Sequence, residues 1–132
     1  LTYPFPSICL RALKTKKNQK KFVVWGSGNQ MRDFIHIDDC IDGILKLENK
    51  INDGEAINLS NGNFLSFKML AKIILSNLNI NIKVEGKTNK PEGVFARSGD
   101  RTLQKKLGFF PKRDLNYGIN HCLNFLRHKY LK

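Results

Sequence analysis

Residues 25–33, WGSGNQMRD, combine the residue types that suit a bound phosphate. Gly26 and Gly28 would let a ligand approach the backbone closely, because glycine has no side chain and tolerates unusual backbone angles. The guanidinium of Arg32 has the fork geometry that grips a diphosphate through two hydrogen bonds. The same segment is also consistent with an exposed Arg32–Asp33 ion pair of little energetic value. The residues alone leave both interpretations open.

Other catalytic and cofactor signatures are missing from the sequence. Gly26-x-Gly28 begins like a dinucleotide fingerprint, but Met31 stands where the third glycine is required. There is no Gly-x-Ser-x-Gly motif, and no tyrosine has a lysine four residues later. Adjacent Asp38 and Asp39 are explained better by helix capping than by acid–base chemistry. A packed role is favoured for His36, and the remaining histidines and cysteines lack zinc-ligand spacing, so we predict no metal site.

Composition indicates one globular domain. The chain has 132 residues, of which 41% are hydrophobic, and a formal net charge of +12. Lysine outnumbers arginine by 17 to 6, so we favour a lysine-rich solvated surface over a nucleic-acid partner. Three widely spaced cysteines predict reduced thiols, and therefore a cytoplasmic protein. No apolar run is long enough to cross a membrane, and the early lysines argue against a signal peptide.

Short strands and helices are predicted to alternate, which indicates an α/β fold. Strands are expected at residues 22–25, 34–37, 56–59 and 80–84. Helices are expected at residues 7–17, after Asp38 or Asp39, after Ser66, after Asp100 and after Asp114. In the second of these helices, Ile41, Ile44, Leu45 and Leu47 are predicted to face inward.

Two stretches carry a resemblance to a known family. Residues 22–39 read FVVWGSGNQMRDFIHIDD, and residues 90–100 read KPEGVFARSGD, followed by KKLGFFPK at 105–112. In this order they resemble extended short-chain dehydrogenases acting on nucleotide sugars, namely the NAD(P)-dependent epimerases, dehydratases and GDP-fucose synthases. The similarity covers nearly the whole chain. It implies the C-terminal, substrate-binding lobe of such an enzyme, with residues 1–132 as a single domain of a longer chain and the Rossmann half absent.

The resemblance also implies roles for five residues. Arg32 matches the arginine that contacts the nucleotide diphosphate, and Arg97 matches a second arginine near the phosphates or ribose. Trp25 matches an aromatic that stacks on the nucleotide in GDP-fucose synthase-like members. Glu92 matches an acidic substrate contact, and Arg11 matches a basic one.

The family uses NAD or NADP, bound by a glycine-rich motif, together with a Tyr-x-x-x-Lys pair. Because this sequence contains neither, we expect no bound cofactor, no catalytic residue and no turnover from this chain alone. The expected partners are a nucleotide-diphosphate sugar, with a GDP-sugar favoured, and the Rossmann half. Apolar surface meant for that half is expected to promote self-association. Two alternatives stay open: a stand-alone, non-catalytic nucleotide-binding or interaction module, and a basic nucleic-acid binder.

Overall fold

A computed structural model describes residues 3–51 and 54–131 of the chain. Five helices and five strands alternate in it, as expected for an α/β fold. The helices are α1 (Pro4–Leu13), α2 (Ile37–Leu47), α3 (Phe67–Asn77), α4 (Thr102–Lys106) and α5 (Leu115–Tyr130), and a short 3-10 helix (Glu48–Lys50) follows α2. The strands are β1 (Lys21–Trp25), β2 (Met31–Arg32), β3 (Leu65–Ser66), β4 (Lys83–Lys87) and β5 (Ala96–Arg97).

The core lies between the β1–β4 sheet and three helices. Strands β1 and β4 are parallel, with Phe22 opposite Val84 and Trp25 opposite Lys87. Helices α1, α3 and α5 pack together around this pair. Their buried apolar side chains form one continuous cluster that includes Ile8, Phe22, Val24, Leu70, Ile74, Ile119 and Leu123.

A second, smaller sheet joins the segments that contain the candidate ligand residues. Its strand order is β3-β2-β5, with β2 antiparallel to β3 and parallel to β5. The β2–β5 register places Met31 opposite Ala96 and Arg32 opposite Arg97. Two arginines that lie 65 positions apart in the chain are therefore neighbours in space.

The predicted capping residues of two helices are confirmed. Ser66 Oγ accepts a hydrogen bond from the backbone amide of Met69 at 3.1 Å, and α3 begins at the next residue. Asp114 Oδ1 accepts from the amide of Tyr117 at 2.7 Å at the start of α5. Asp100 was predicted at the N-cap position of α4, but that position is occupied by Arg101. Asp100 lies one residue before it, and its side chain accepts a hydrogen bond from the amide of Thr102.

The strand predicted at residues 34–37 is wrong. The strand in this region is β2, at Met31–Arg32, and α2 already begins at Ile37. His36 occupies the N-cap position in place of Asp38 or Asp39, and its Nδ1 accepts from Asp38 N at 3.2 Å. The β-branched and aromatic residues here favour a strand locally, but this cap ends the extended backbone. Likewise, α1 starts three residues earlier and ends four earlier than predicted, because two prolines suit its first turn.

The predicted inward face of α2 is confirmed for Leu47 and wrong for its other three residues. Ile41, Ile44 and Leu45 are 48%, 56% and 61% exposed. The buried residues of α2 are Asp39, Gly43 and Leu47. Residues 56–59 have no regular secondary structure, contrary to the predicted strand, and the strand expected from residue 80 begins at Lys83. Among residues 3–51 and 54–131, no helix is long and apolar enough to span a membrane.

Candidate functional site

A cavity of about 390 Å³ opens beside the C-terminal end of β1. This volume lies within the range of small-molecule sites. Its walls come from α1, the end of β1, the start of α3 and the loop before β5. They are formed by Pro4, Ser7, Ile8, Arg11, Val24, Trp25, Gln30, Phe67, Pro91 and Glu92. Three of the five residues singled out from the sequence, Arg11, Trp25 and Glu92, therefore line one cavity.

Arg11 is the cationic residue on the α1 wall. Its guanidinium donates a hydrogen bond to the carbonyl oxygen of Val23 and lies 4.9 Å from the ring centroid of Phe22. Burial lowers the pKa of Arg11, although a guanidinium remains charged in proteins. Because one guanidinium has five N–H donors, the bond to Val23 leaves others available at the cavity.

Trp25 ends β1 with its side chain 59% exposed. The indole lines the cavity, and Lys90 Nζ lies 5.8 Å from its ring centroid, within cation–π distance. A large, exposed aromatic ring offers a flat face on which a planar ligand can stack.

Glu92 is held at the edge of the cavity by Ser27. The amide of Ser27 donates to Glu92 Oε2 at 3.1 Å, and the Ser27 hydroxyl donates to Glu92 Oε1. These hydrogen bonds, with a smaller contribution from the charge of Lys68, hold the pKa of Glu92 below its usual value. The cavity edge therefore carries a fixed carboxylate.

Gln30 is a lining residue that the sequence analysis did not single out. It is 1% exposed, and its Nε2 donates to the carbonyl oxygens of Trp25 and Glu92, both at 3.2 Å. It thereby ties the end of β1 to the loop that carries Glu92. A lone glutamine in a glycine-rich turn matches no sequence signature, so only the fold identifies this residue.

Arg32 and Arg97 lie next to this cavity and are not among its lining residues. The Arg32 guanidinium carbon is 5.6 Å from the ring centroid of Phe67, which itself lines the cavity, and Arg32 Nη1 donates to Met31 O at 2.7 Å. Arg97 is exposed and is the register partner of Arg32 across β2 and β5. The structure thus brings the five residues into two adjoining groups.

Asp33 forms no ion pair with Arg32. Its Oδ2 accepts from the Ser60 hydroxyl and, at 2.9 Å, from the amide of Gly62. A longer contact of 3.5 Å joins the same oxygen to the hydroxyl of Ser98. The alternative of an exposed Arg32–Asp33 pair is therefore wrong, because Asp33 instead joins the end of β2 to the segment before β3 and to the segment after β5.

The glycine-rich turn does not fit NAD(P). Gly26 and Gly28 have φ values of +67° and +74°, so the turn itself is tight. A dinucleotide site needs such a turn to lead into a helix, whose N-terminus binds the pyrophosphate. Here the turn leads into the two-residue strand β2. We therefore assign no step of any reaction to a nicotinamide at this turn.

The histidine pair His36 and His121 joins α2 to α5. His36 Nε2 and His121 Nδ1 lie 3.1 Å apart, and the two rings stack at 5.3 Å. Tyr117 packs edge-on against His36 at 5.2 Å. Within the described ranges, no group of three or more His, Cys, Asp or Glu side chains is placed to hold a metal ion. The ring contacts make the pair a packing contact between the start of α2 and α5.

Comparison with known proteins adds relatives in sequence and fold. The profile of the NAD dependent epimerase/dehydratase family matches residues 5–60. A putative GDP-L-fucose synthase 2 of Arabidopsis thaliana is 29% identical over 120 residues, which span 90% of this chain and 37% of that protein. GDP-mannose 3,5-epimerase 1 of Oryza sativa subsp. indica is 36% identical over 107 residues, which span 80% of this chain and 28% of that protein.

Solved structures support the same fold. A GDP-L-fucose synthetase from Naegleria fowleri bound to NADP superposes with a TM-score of 0.78 at 20% identity, over 98% of this chain and 41% of that one. The chain thus spans 37% and 28% of the length of these two curated relatives. In sequence, the chain is therefore similar to members of the NAD dependent epimerase/dehydratase family, GDP-L-fucose synthases and GDP-mannose 3,5-epimerases among them, and it shares their α/β fold.

Proposed function

We propose that this chain is the C-terminal, substrate-binding lobe of an NAD(P)-dependent nucleotide-sugar epimerase, dehydratase or reductase. In this proposal, Arg32 and Arg97 bind the diphosphate of a nucleotide sugar, with a GDP-sugar favoured. The cavity lined by Arg11, Trp25 and Glu92 receives the nucleoside end. The cofactor half and the catalytic Tyr-x-x-x-Lys pair lie outside residues 1–132, so the lobe binds substrate without turning it over.

The observation that carries the proposal is the pairing of Arg32 with Arg97. Register partners in neighbouring parallel strands extend their side chains from the same face, with the strands just under about 5 Å apart. Positive charges on neighbouring positions of one face repel each other, and an anion bound between them relieves that repulsion. A diphosphate meets this requirement, because its oxygens accept bidentate hydrogen bonds from both arginines.

The position of the cavity supports the same ligand. Phe67 contacts the Arg32 guanidinium on one side and lines the cavity on the other, so the phosphate-binding arginine and the aromatic cavity adjoin. A nucleotide has the same arrangement, with a flat ring system joined to a charged phosphate group. Trp25 supplies a face on which that ring stacks.

A missing partner half explains two unusual features of α2 and the segment after it. The exposed side of α2 carries four large apolar residues, Ile37, Ile41, Ile44 and Leu45. Residues 56–59, which the sequence predicts as a strand, have no regular secondary structure. We assign both to the contact with the Rossmann half, whose sheet would supply a neighbouring strand and whose surface would cover the apolar side of α2.

Isothermal titration calorimetry with GDP tests the diphosphate assignment. Arg32→Ala and Arg97→Ala should each weaken binding about tenfold or more, since each removes a charge-assisted interaction with phosphate. Arg127→Ala is the matched control: Arg127 is exposed on α5, which contributes no residue to the cavity or to the arginine pair. Unchanged affinity in Arg32→Ala would contradict the proposal.

A turnover assay separates the lobe from a complete enzyme. The 132-residue chain mixed with NADP and GDP-sugars should give no product, whereas binding of GDP should remain measurable. Clear turnover by the chain alone would overturn the non-catalytic part of the proposal. Nucleotide binding that persists without any gain of activity on adding a separately expressed cofactor half would favour a stand-alone binding module.

A further inference from the structure

The side-chain oxygen of Gln30 is a buried acceptor with no partner. Gln30 lines the cavity and is almost fully buried, yet its Oε1 accepts no hydrogen bond from the described residues. The orientation of the amide is set by its other end, because Nε2 donates to the carbonyl oxygens of Trp25 and Glu92. Buried acceptors in native proteins are nearly always satisfied, so this oxygen calls for a donor from a ligand or from water.

The carboxylate of Glu92 supplies a second acceptor at the same cavity. Gln30 Nε2 is 3.2 Å from the Glu92 carbonyl oxygen, so the two residues are adjacent at the cavity. Ser27 occupies one acceptor position on each carboxylate oxygen of Glu92. An ionised carboxylate has about four such positions, and the remainder are available to a ligand.

Gly26 leaves the room in which Gln30 and Glu92 pack against the turn. Gly26 has a φ of +67°, and a Cβ at this position would lie 2.4 Å from Gln30 Nε2 and 3.0 Å from the Glu92 side chain. Only glycine leaves this space. The opposite wall of the cavity offers Arg11 as a donor, and the flat surfaces of Trp25 and Phe67.

We propose that Gln30 and Glu92 determine which base the cavity accepts, by pairing with two adjacent N–H donors on its edge. Guanine presents such an edge, with N1–H beside the N2 amine and an O6 acceptor within reach of a donor such as Arg11. Uracil presents a single N–H between two carbonyls, and adenine presents one amine beside an unprotonated ring nitrogen. This inference rests on the proposed nucleotide-binding function and adds the atoms that select the base.

A change of base preference is the sharpest test. Calorimetry on the full chain should give affinities in the order GDP, then IDP, which lacks the N2 amine, then UDP, with IDP roughly tenfold weaker than GDP. Glu92→Gln replaces an acceptor oxygen by a donor N–H while keeping shape. It should therefore weaken GDP roughly tenfold or more and strengthen XDP, whose O2 accepts where guanine donates.

The control is Glu48→Gln, the same chemical change at an exposed residue of the 3-10 helix. It should leave the order of affinities unchanged, and thermal melting should show that both variants are folded. Equal binding of GDP, IDP and UDP, with no shift towards XDP in Glu92→Gln, would overturn the base assignment and leave the diphosphate assignment intact. Binding of none of these nucleotides would instead contradict the proposed function.

Discussion

Asp39 is 1% exposed near the start of α2, and Arg113 binds both of its carboxylate oxygens. Arg113 Nη1 donates to Asp39 Oδ1 at 2.6 Å, and the backbone amide of Arg113 donates to Oδ2 at 3.0 Å. The amide of Lys112 adds a third bond to Oδ1 at 3.2 Å. The same guanidinium also reaches Asp42 at 2.9 Å. This cluster fastens the first turns of α2 to the segment that enters α5.

Arg113→Ala should therefore lower the free energy of unfolding by about 2–3 kcal/mol, because it leaves a buried carboxylate without its counter-charge. The backbone amides of Lys112 and Arg113 still donate to the carboxylate in this variant. The loss of unfolding free energy is therefore smaller than for a buried carboxylate with no hydrogen-bond donors. Urea unfolding measures the change. The control is Arg127→Ala, an exposed arginine on α5, which should cost less than about 0.5 kcal/mol. Equal stability of the two variants would contradict this account.

Asp39 also predicts how stability depends on pH. Burial by itself would raise the pKa of this carboxyl, but the amides of Arg113 and Lys112 and the Arg113 guanidinium together hold it below 3.8. A carboxyl with a lowered pKa in the folded state contributes its stabilisation above its unfolded pKa and loses it as the pH falls through the folded value. Unfolding free energies measured from pH 6 downward should decrease below about pH 4. Asp39→Asn should be less stable at pH 6 and show a shallower acid slope, whereas an unchanged slope would exclude Asp39 as a source.

Gly28 is predicted to be intolerant of a side chain. Its φ is +74°, and a Cβ would lie 2.5 Å from Val24 Cγ2 and 2.7 Å from Lys68 Cγ. Its carbonyl oxygen also accepts from the amide of Lys68 at 2.9 Å in the first turn of α3. Gly28→Ala should cost about 2 kcal/mol or more, from backbone strain plus crowding.

Gly108→Ala is the matched control for that crowding. Gly108 has a similar φ of +81°, but a Cβ there meets nothing within 4 Å. It should therefore cost only the strain of about 1–2 kcal/mol. The difference between the two losses, read from urea unfolding, isolates the contact at Gly28; equal losses would show that crowding there is negligible.

The sequence predicted those parts of the fold whose causes are local. Ser66 and its helix were predictable because a hydroxyl cap and apolar residues at helical spacing act within one segment. The orientation of α2 could not be predicted from the sequence. Periodicity identifies an apolar side of a helix but does not say whether another part of the chain covers it. The strand predicted around His36 was wrong because local propensity does not show where a cap forms. The hydrogen bond from the amide of Asp38 to the His36 ring starts α2 in place of a strand.

The candidate site shows the same division. Arg32 stands out in the sequence because of its glycine-rich neighbourhood, but its pairing with Arg97 depends on a strand register between segments 65 positions apart. Gln30 gives no signal at all, because its importance arises from contacts with Trp25 and Glu92 that only the folded loops create. Long-range pairing, rather than residue type, limits what can be predicted here.

The exposed apolar side of α2 predicts self-association of this chain. Ile37, Ile41, Ile44 and Leu45 are each 48% or more exposed on a single helix of 11 residues, which makes a contiguous apolar surface of the kind that monomeric proteins rarely leave uncovered. Sedimentation velocity over a concentration series should show reversible association. The double variant Ile41→Glu with Leu45→Lys should abolish it, because it places charge on the surface with a favourable spacing along the helix.

The same double variant should change the free energy of unfolding by less than about 0.5 kcal/mol, since neither side chain is part of the core. Phe125→Glu, a change at an exposed aromatic residue of α5, should leave association unchanged. A wild-type chain that stays monomeric at high concentration would contradict the prediction. Association that persists in the double variant but is lost in Phe125→Glu would also contradict the prediction, because the contact between copies would then lie on α5 and not on α2.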